Sequence, residues 1–158
     1  MQSIPAHSAA ASFLLSGLED DDPVKGRDDI ELAKFYVGVA REQAVQIQKV
    51  VEEAGSARSH LIPVARDMGV EPELCQARLS ILDGNMNEAR KVMQASSTII
   101  EEATLDVDVR FMAGMLFDKV GLRTEAVKAL IAVNEEWEEY PEAWFYLASL
   151  CTKADQCR

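Results

Sequence analysis

The sequence predicts an all-α protein in which stacked antiparallel helix hairpins follow one long N-terminal helix. Strong helix formers are plentiful, and only 8 of the 158 residues are glycine. Apolar residues recur every three or four positions over 28–54, as one face of a long helix requires. A short phrase, glycine followed after three residues by Glu-Ala, begins at Gly84 and again at Gly121. This repetition indicates a structural unit that the chain uses more than once.

Residues 1–27 are expected to form a tail ahead of the helical domain. A short helix is predicted from Pro5 to about Leu15, because proline suits a first helical turn, and Gly17 would end it. The tail is expected either to be disordered or to dock its apolar residues 13–15 on the rest of the protein.

The domain proper is predicted over 28–158, and its first part is a helical pair at 28–69. The long helix should end at Gly55, because glycine readily adopts the conformation that terminates a helix. A shorter helix is expected to end near Met68, before Gly69. This pair is either a degenerate repeat unit or an unrelated pair of helices.

Proline, threonine, aspartate and glycine divide the remainder into two hairpins and a final helix. The first two expected helices are about 72–82 and 87–102. A third, capped by Thr104 or Asp106, should run to 120, a fourth, capped by Thr124, to about 138, and the last should span 141–153. They form a unit at 70–104, a unit at 105–140 and a capping half-unit at 141–153. Because the connections are short, neighbouring helices should run antiparallel.

Small residues recur at the same place in each unit. Ala77, Gly114 and Ala148 are separated by 37 and 34 residues, and Ala89 and Ala126 follow the first two by twelve. Small side chains let two crossing helices approach closely, so we expect all of these residues at helix contacts. Each hairpin leaves an apolar face uncovered, and the hairpins should therefore stack.

This register resembles the tetratricopeptide repeat family over about residues 70–153. The resemblance is carried by Ala77, Gly84, Glu88, Ala89, Gly114, Phe117, Gly121, Glu125, Ala126, Trp144, Leu147 and Ala148. Gln76 and Ser96 depart from the family pattern. The resemblance implies a right-handed superhelix whose inner groove, formed by the first helix of each hairpin, holds a peptide or helix of a partner.

The resemblance also implies which residues face that groove. They are Leu74, Arg78, Phe111, Met115, Phe145 and Ser149. Leu74, Phe111 and Phe145 occupy equivalent places and would form an apolar ladder for a partner. The alternative is that the long N-terminal helix or the tail fills the groove. A lone arginine at position 78 does not make the basic clamp with which one subfamily binds chaperone C-termini, so that ligand is not expected.

The last predicted helix carries an apolar face with little sequence left to cover it. Trp144, Tyr146 and Leu150 are expected to be exposed on this terminal face. A partner, a second copy of the chain or an N-terminal helix would then cover it, so a homo-oligomer is one expected outcome.

Composition excludes several classes of ligand and chemistry. A formal net charge of −11 argues against nucleic acid and against anionic membrane surfaces, because both would repel the chain. The two histidines are far apart, and no phosphate loop or nucleophile with a positioned base is visible. No catalytic residue, metal site or cofactor is therefore expected.

Location follows from the same features. No apolar run approaches the roughly 18 residues of a membrane helix, and no basic leader precedes the apolar residues near the start. Three cysteines without a CxxC pair indicate a reducing environment. The expected location is the cytoplasm or another reducing, soluble compartment.

The sequence therefore predicts a non-catalytic protein-interaction adaptor, scaffold or assembly chaperone. Its ligand would be an apolar or basic segment of a partner protein. Two alternatives stay open: a structural subunit of a large complex, and a secretion-type chaperone, which rests on size and charge alone. An enzyme is not expected.

Overall fold

The computed structural model describes residues 4–19, 27–137 and 139–156, and over these residues the protein is all-α, as predicted, with no strand. The helices are α1 (Ile4–Glu19), α2 (Arg27–Glu53), α3 (Ile62–Asp67), α4 (Val70–Leu82), α5 (Met86–Glu102), α6 (Val107–Lys119), α7 (Arg123–Glu136) and α8 (Pro141–Gln156). A 3₁₀ segment, Gly55–Leu61, joins α2 to α3. The part of the expected tail at 20–26 lies outside the described residues.

Helix α1 is ordered and docked rather than disordered. It continues through Gly17 to Glu19 and packs along α2 and against α4. Its buried Leu15 joins Val37 of α2 and Leu79 of α4 in a small apolar cluster. Of the alternatives for the tail, the described residues therefore adopt the docked one, although Phe13 points to solvent.

Helix α2 is long, as predicted, with 27 residues. Its most deeply buried positions are Ala33, Val37 and Ala40, so small side chains allow α1 and α4 to approach closely. The helix ends where predicted, because Gly55 has a φ of +63°, a left-handed conformation that favours glycine.

The two repeated glycines form the predicted turns. Gly84 has a φ of +74° between α4 and α5, and Gly121 has a φ of +78° between α6 and α7. Asn85 caps α5, since its side-chain oxygen accepts a hydrogen bond from the Glu88 N–H at 3.2 Å. The expected cap of α7 at Thr124 is wrong, because α7 already begins at Arg123.

Two of the three small residues lie at helix crossings. A Cβ atom on Gly114 would lie 2.9 Å from Cγ of Leu130 and 3.6 Å from the carbonyl oxygen of Ala126, so α6 and α7 touch at this point. Ala77 is fully buried in the same core. For Ala148 the expected crossing contact is wrong, because its side chain is exposed.

Helices α4 to α8 share one continuous core. Its largest fully buried side chains are Leu74, Met93, Ile100, Phe117, Leu130, Val133 and Leu150. Helix α6 contacts both α4 and α5, and α7 contacts both α5 and α8. Helix α4 belongs to both clusters: Leu74 and Ala77 face the main core, and Cys75 and Leu79 face α1 and α2. The superhelical hand that the family resemblance implies stays a prediction.

The crossing at Gly114 gives a stability prediction. Gly114→Ala should lower the free energy of unfolding by about 1–3 kcal/mol, because the added methyl group overpacks against fully buried Leu130. Gly38→Ala is the matched control, since a Cβ there meets nothing within 4 Å and alanine favours α2 by about 0.5–1 kcal/mol. Urea unfolding of both variants measures the difference. A Gly114→Ala protein as stable as the wild type would contradict the close crossing.

Candidate partner-binding surface

Arginine 78 ties α1 to α4. Its guanidinium is 5% exposed and donates hydrogen bonds to Oγ of Ser12 at 3.0 Å and to Oγ of Ser16 at 3.1 Å. It also lies 3.7 Å from Sδ of Met112 on α6. The expectation that Arg78 faces an open groove is therefore wrong, because α1 covers it.

Leu74 is also wrongly placed by the sequence prediction. Its side chain is fully buried in the main core and is not accessible to a partner. The apolar periodicity of α4 did not show which of its faces packs in the main core and which is covered by α1. In the unit predicted at 70–104, then, the side of α4 that carries Arg78 is covered by the protein's own α1.

Cysteine 75 lies beneath α1. Its thiol donates a weak hydrogen bond to the carbonyl oxygen of Ser8 at 3.9 Å, and burial raises its pKa from 9.0 to about 11. The thiol is therefore neutral and unreactive near pH 7. Since the folded-state pKa lies above the unfolded one, its contribution to stability is present below pH 9 and is lost as the pH rises toward 11.

The side of α6 and α8 that the prediction assigned to the groove, which we call the inner side, is open in part. Phe111 and Met115 of α6 are half-buried, whereas Phe145 of α8 is 78% exposed and Ser149 is exposed. These four predicted groove residues therefore present accessible surface, with Phe145 as the most prominent side chain. Of the apolar ladder expected from Leu74, Phe111 and Phe145, only Phe111 and Phe145 are accessible to a partner.

An aromatic cluster fixes α8 against α6. The ring of Phe111 lies 5.3 Å from that of Tyr140 and 6.2 Å from that of Tyr146, centroid to centroid, in edge-to-face contacts. The Tyr140 hydroxyl donates to Asp108 at 2.8 Å, and the Tyr146 hydroxyl donates to Asp118 at 3.0 Å. Burial, followed by these carboxylates, raises the pKa of each tyrosine to about 12.

A shallow cavity of about 210 Å³ marks the boundary between the covered and open parts. It lies between α1, α4 and α6. Its lining is Ser12, Ser16, Arg78, Met112, Met115, Leu116 and Lys119. The two methionines adapt their shape readily, which suits a surface that receives side chains of another protein.

The terminal face differs from the prediction in one residue. Trp144 is 53% exposed and Tyr146 is half-buried, but Leu150 is buried in the core. The expectation that Leu150 is exposed is therefore wrong, because it points toward α4–α7 rather than outward. Cys151 and Thr152 are exposed instead.

Sequence reasoning missed a buried arginine on α6. Arg110 lines a cavity of about 290 Å³ between α5, α6 and α7. Its Nη2 donates to the carbonyl oxygen of Ala103 at 2.9 Å and lies 3.5 Å from Oε1 of Glu136. The bond from Nη2 holds the turn at Ala103 against α6, while the buried Nε has no hydrogen-bond partner among the described residues. Arg110 lies three and four positions before Ala113 and Gly114, which are both buried, and this helical spacing was the signal that Arg110 would be buried as well.

The described residues bring together no group of three or more His, Cys, Asp or Glu side chains that could hold a metal ion. Nor does any helix among them have the length and apolar character needed to cross a membrane. His7 packs against Tyr36 with their rings 5.9 Å apart, and His60 lies in the exposed 3₁₀ segment.

Comparison of the chain with models of protein families, with curated proteins and with solved structures found no match. The accessible surface of α6 and α8, which α1 borders, is therefore the feature of the described residues that bears on function.

Because Cys75 lies beneath α1, modification of its thiol reports how often α1 opens. Arg78→Met removes two hydrogen bonds to α1, worth about 1–2 kcal/mol, and should make opening of α1 about five- to thirtyfold more frequent. The rate at which iodoacetamide modifies Cys75 at pH 8, followed by mass spectrometry, should rise by the same factor.

Arg41→Met is the matched control for this experiment. Arg41 makes a comparable bond between α2 and α4, to Glu73 at 2.8 Å, without touching α1. It should leave the modification rate of Cys75 near that of the wild type. Equal rates in both variants would show that Arg78 does not hold α1 in place.

Proposed function

We propose that this protein is a non-catalytic adaptor, scaffold or assembly chaperone that holds a segment of a partner protein on the inner side of α6 and α8. The observation that carries the proposal is Phe145, which is 78% exposed on α8, a helix whose Tyr146 packs against Phe111 of α6. Burial of such a side chain by a partner would contribute about 1.5–3 kcal/mol. An exposed aromatic residue on a fixed helix is a typical anchor for a protein partner.

The residues of α6 and α8 indicate the chemistry of the partner. Phe111 and Met115 of α6 offer apolar contact, while Asp108 and Asp118 of α6 and Glu142 of α8 add carboxylates. An apolar segment flanked by basic residues fits both features. The net charge of −11 would also steer a basic segment toward the protein.

Helix α1 forms one wall of the proposed site. Because Arg78 fastens it to α4 through Ser12 and Ser16, the partner is proposed to lie beside α1 rather than in its place. A site narrowed in this way would hold a single helix or extended segment. The free thiols of Cys75 and Cys151 favour a reducing compartment for this work.

A second candidate is a structural subunit of a large complex. Large apolar side chains are exposed on several separate elements: Phe13 on α1, Phe35 on α2, Val64 on α3, and Trp137 directly after α7. A distribution of this kind favours contact with several neighbours at once, as in a permanent assembly. A single exposed groove would favour a partner that binds and leaves.

Affinity capture with Phe145→Ala and Phe35→Ala tests the proposal. The two residues match in type and are both well exposed, at 78% and 61%, but Phe35 lies on α2, which packs against α1, α3 and α4. Captured proteins are compared by quantitative mass spectrometry. A partner of the proposed site should be lost at least tenfold with Phe145→Ala, because about 1.5–3 kcal/mol of burial is removed, and should be retained with Phe35→Ala.

Circular dichroism checks that both variants are folded. If every captured protein is retained by Phe145→Ala, the inner side of α6 and α8 is not the binding site. Loss with both variants equally would instead favour the subunit with several contact faces.

A further inference from the structure

Helix α8 carries a strip of exposed residues with a definite order of sizes. One turn before Ala148 stand two large aromatic residues, Trp144 and Phe145. One turn after it stand two small ones, Cys151 and Thr152. All five side chains are exposed, and we call them the α8 strip.

The repeat register shows what kind of element covers such a strip. Ala148 stands in the same register as Ala77 and Gly114, which are both buried. At Gly114 the cover is an antiparallel helix whose Leu130 fits against the missing side chain. Among the described residues no helix crosses Ala148, so Ala148 lacks the covering helix that Ala77 and Gly114 have.

Charge distinguishes the α8 strip from other exposed surface. Within 141–152 the only residue charged at neutral pH is Glu142, in a chain with 43 charged residues. Residues 4–18 of α1 likewise contain no Asp, Glu, Lys or Arg. That stretch packs against α2 and α4. The charge-poor stretch of α1 is thus covered, whereas the α8 strip, which ends just before Lys153, is open.

The strip is complementary to itself in one orientation. When two copies of α8 cross antiparallel at Ala148, Trp144 and Phe145 of each copy meet Cys151 and Thr152 of the other. A parallel crossing would stack large residues on large ones and leave gaps between the small ones. The antiparallel arrangement also has favourable helix dipoles, and it closes on itself as a two-fold dimer.

We propose that a second copy of this chain covers the α8 strip, forming a symmetric dimer through antiparallel α8 helices centred on Ala148. A different partner would have to bring a matching order of sizes, whereas α8 already carries its own complement. This inference goes beyond the partner-binding site but shares Phe145 with it, so a second copy and a bound partner segment would compete for that side chain.

The strength of the dimer follows from its dimensions. The twelve residues of 141–152 span about 18 Å of helix, so the interface is smaller than a standard interface of about 1,600 Å² and should dissociate in the micromolar range. Each copy carries a net charge of −11, and the copies repel each other. Because 1 M salt shortens the screening length to about 3 Å, the dimer should tighten as salt is raised.

Sedimentation velocity over about 5–500 µM, a range that brackets this affinity, at low and high salt tests the dimer with Ala148→Glu. A carboxylate at the crossing point should weaken dimerisation at least tenfold. Ala95→Glu is the matched control, since Ala95 is also an exposed helical alanine but lies on α5. A wild type that stays monomeric at every concentration, or a dimer unaffected by Ala148→Glu, would overturn the proposal.

Crosslinking tests the two-fold axis separately. In a background with Cys151→Ser and Cys157→Ser, Ala148→Cys should form a disulfide-linked dimer under mild oxidation, because only a residue at the axis meets its own copy. Ser149→Cys, one residue away and equally exposed, should crosslink much more slowly. Equal crosslinking at both positions would overturn the antiparallel crossing.

Discussion

The contact between Gly114 and Leu130 sets the geometry on which the rest of the second half depends. With no side chain at Gly114, α7 lies directly on α6, and a Cβ atom would already be 2.9 Å from Leu130. One turn before Gly114 on α6, Phe111 packs against Tyr146 of α8. The open surface of α8 is therefore attached to α6 within one helical turn of the crossing with α7.

The first half uses polar contacts where the second half uses close apolar ones. Arg78 reaches Ser12 and Ser16 because α1 is built from small residues and leaves room for a guanidinium. A buried charge needs such partners, since its desolvation would otherwise be costly. Helix α1 thus covers the side of α4 that carries Arg78. Phe145, on α8, is left as the most exposed aromatic residue of the predicted groove.

The sequence predicted the elements well because glycine and helix periodicity are local signals. Gly55, Gly84 and Gly121 end or turn helices as expected. The groove was less predictable, because register tells which residues share a helix face but not which distant segment covers that face. Leu74 was assigned to the groove although it is a core residue. The absence of charge over residues 4–18 was the signal that α1 would be buried.

Helix α4 stands between the two apolar clusters and contributes to both. Leu74 and Ala77 face the core shared with α5–α8, and Cys75 and Leu79 face α1 and α2. Loss of either cluster would expose one side of α4 to solvent and weaken the packing of its other side. The two halves are therefore expected to melt in a single cooperative transition, although their clusters consist of different residues.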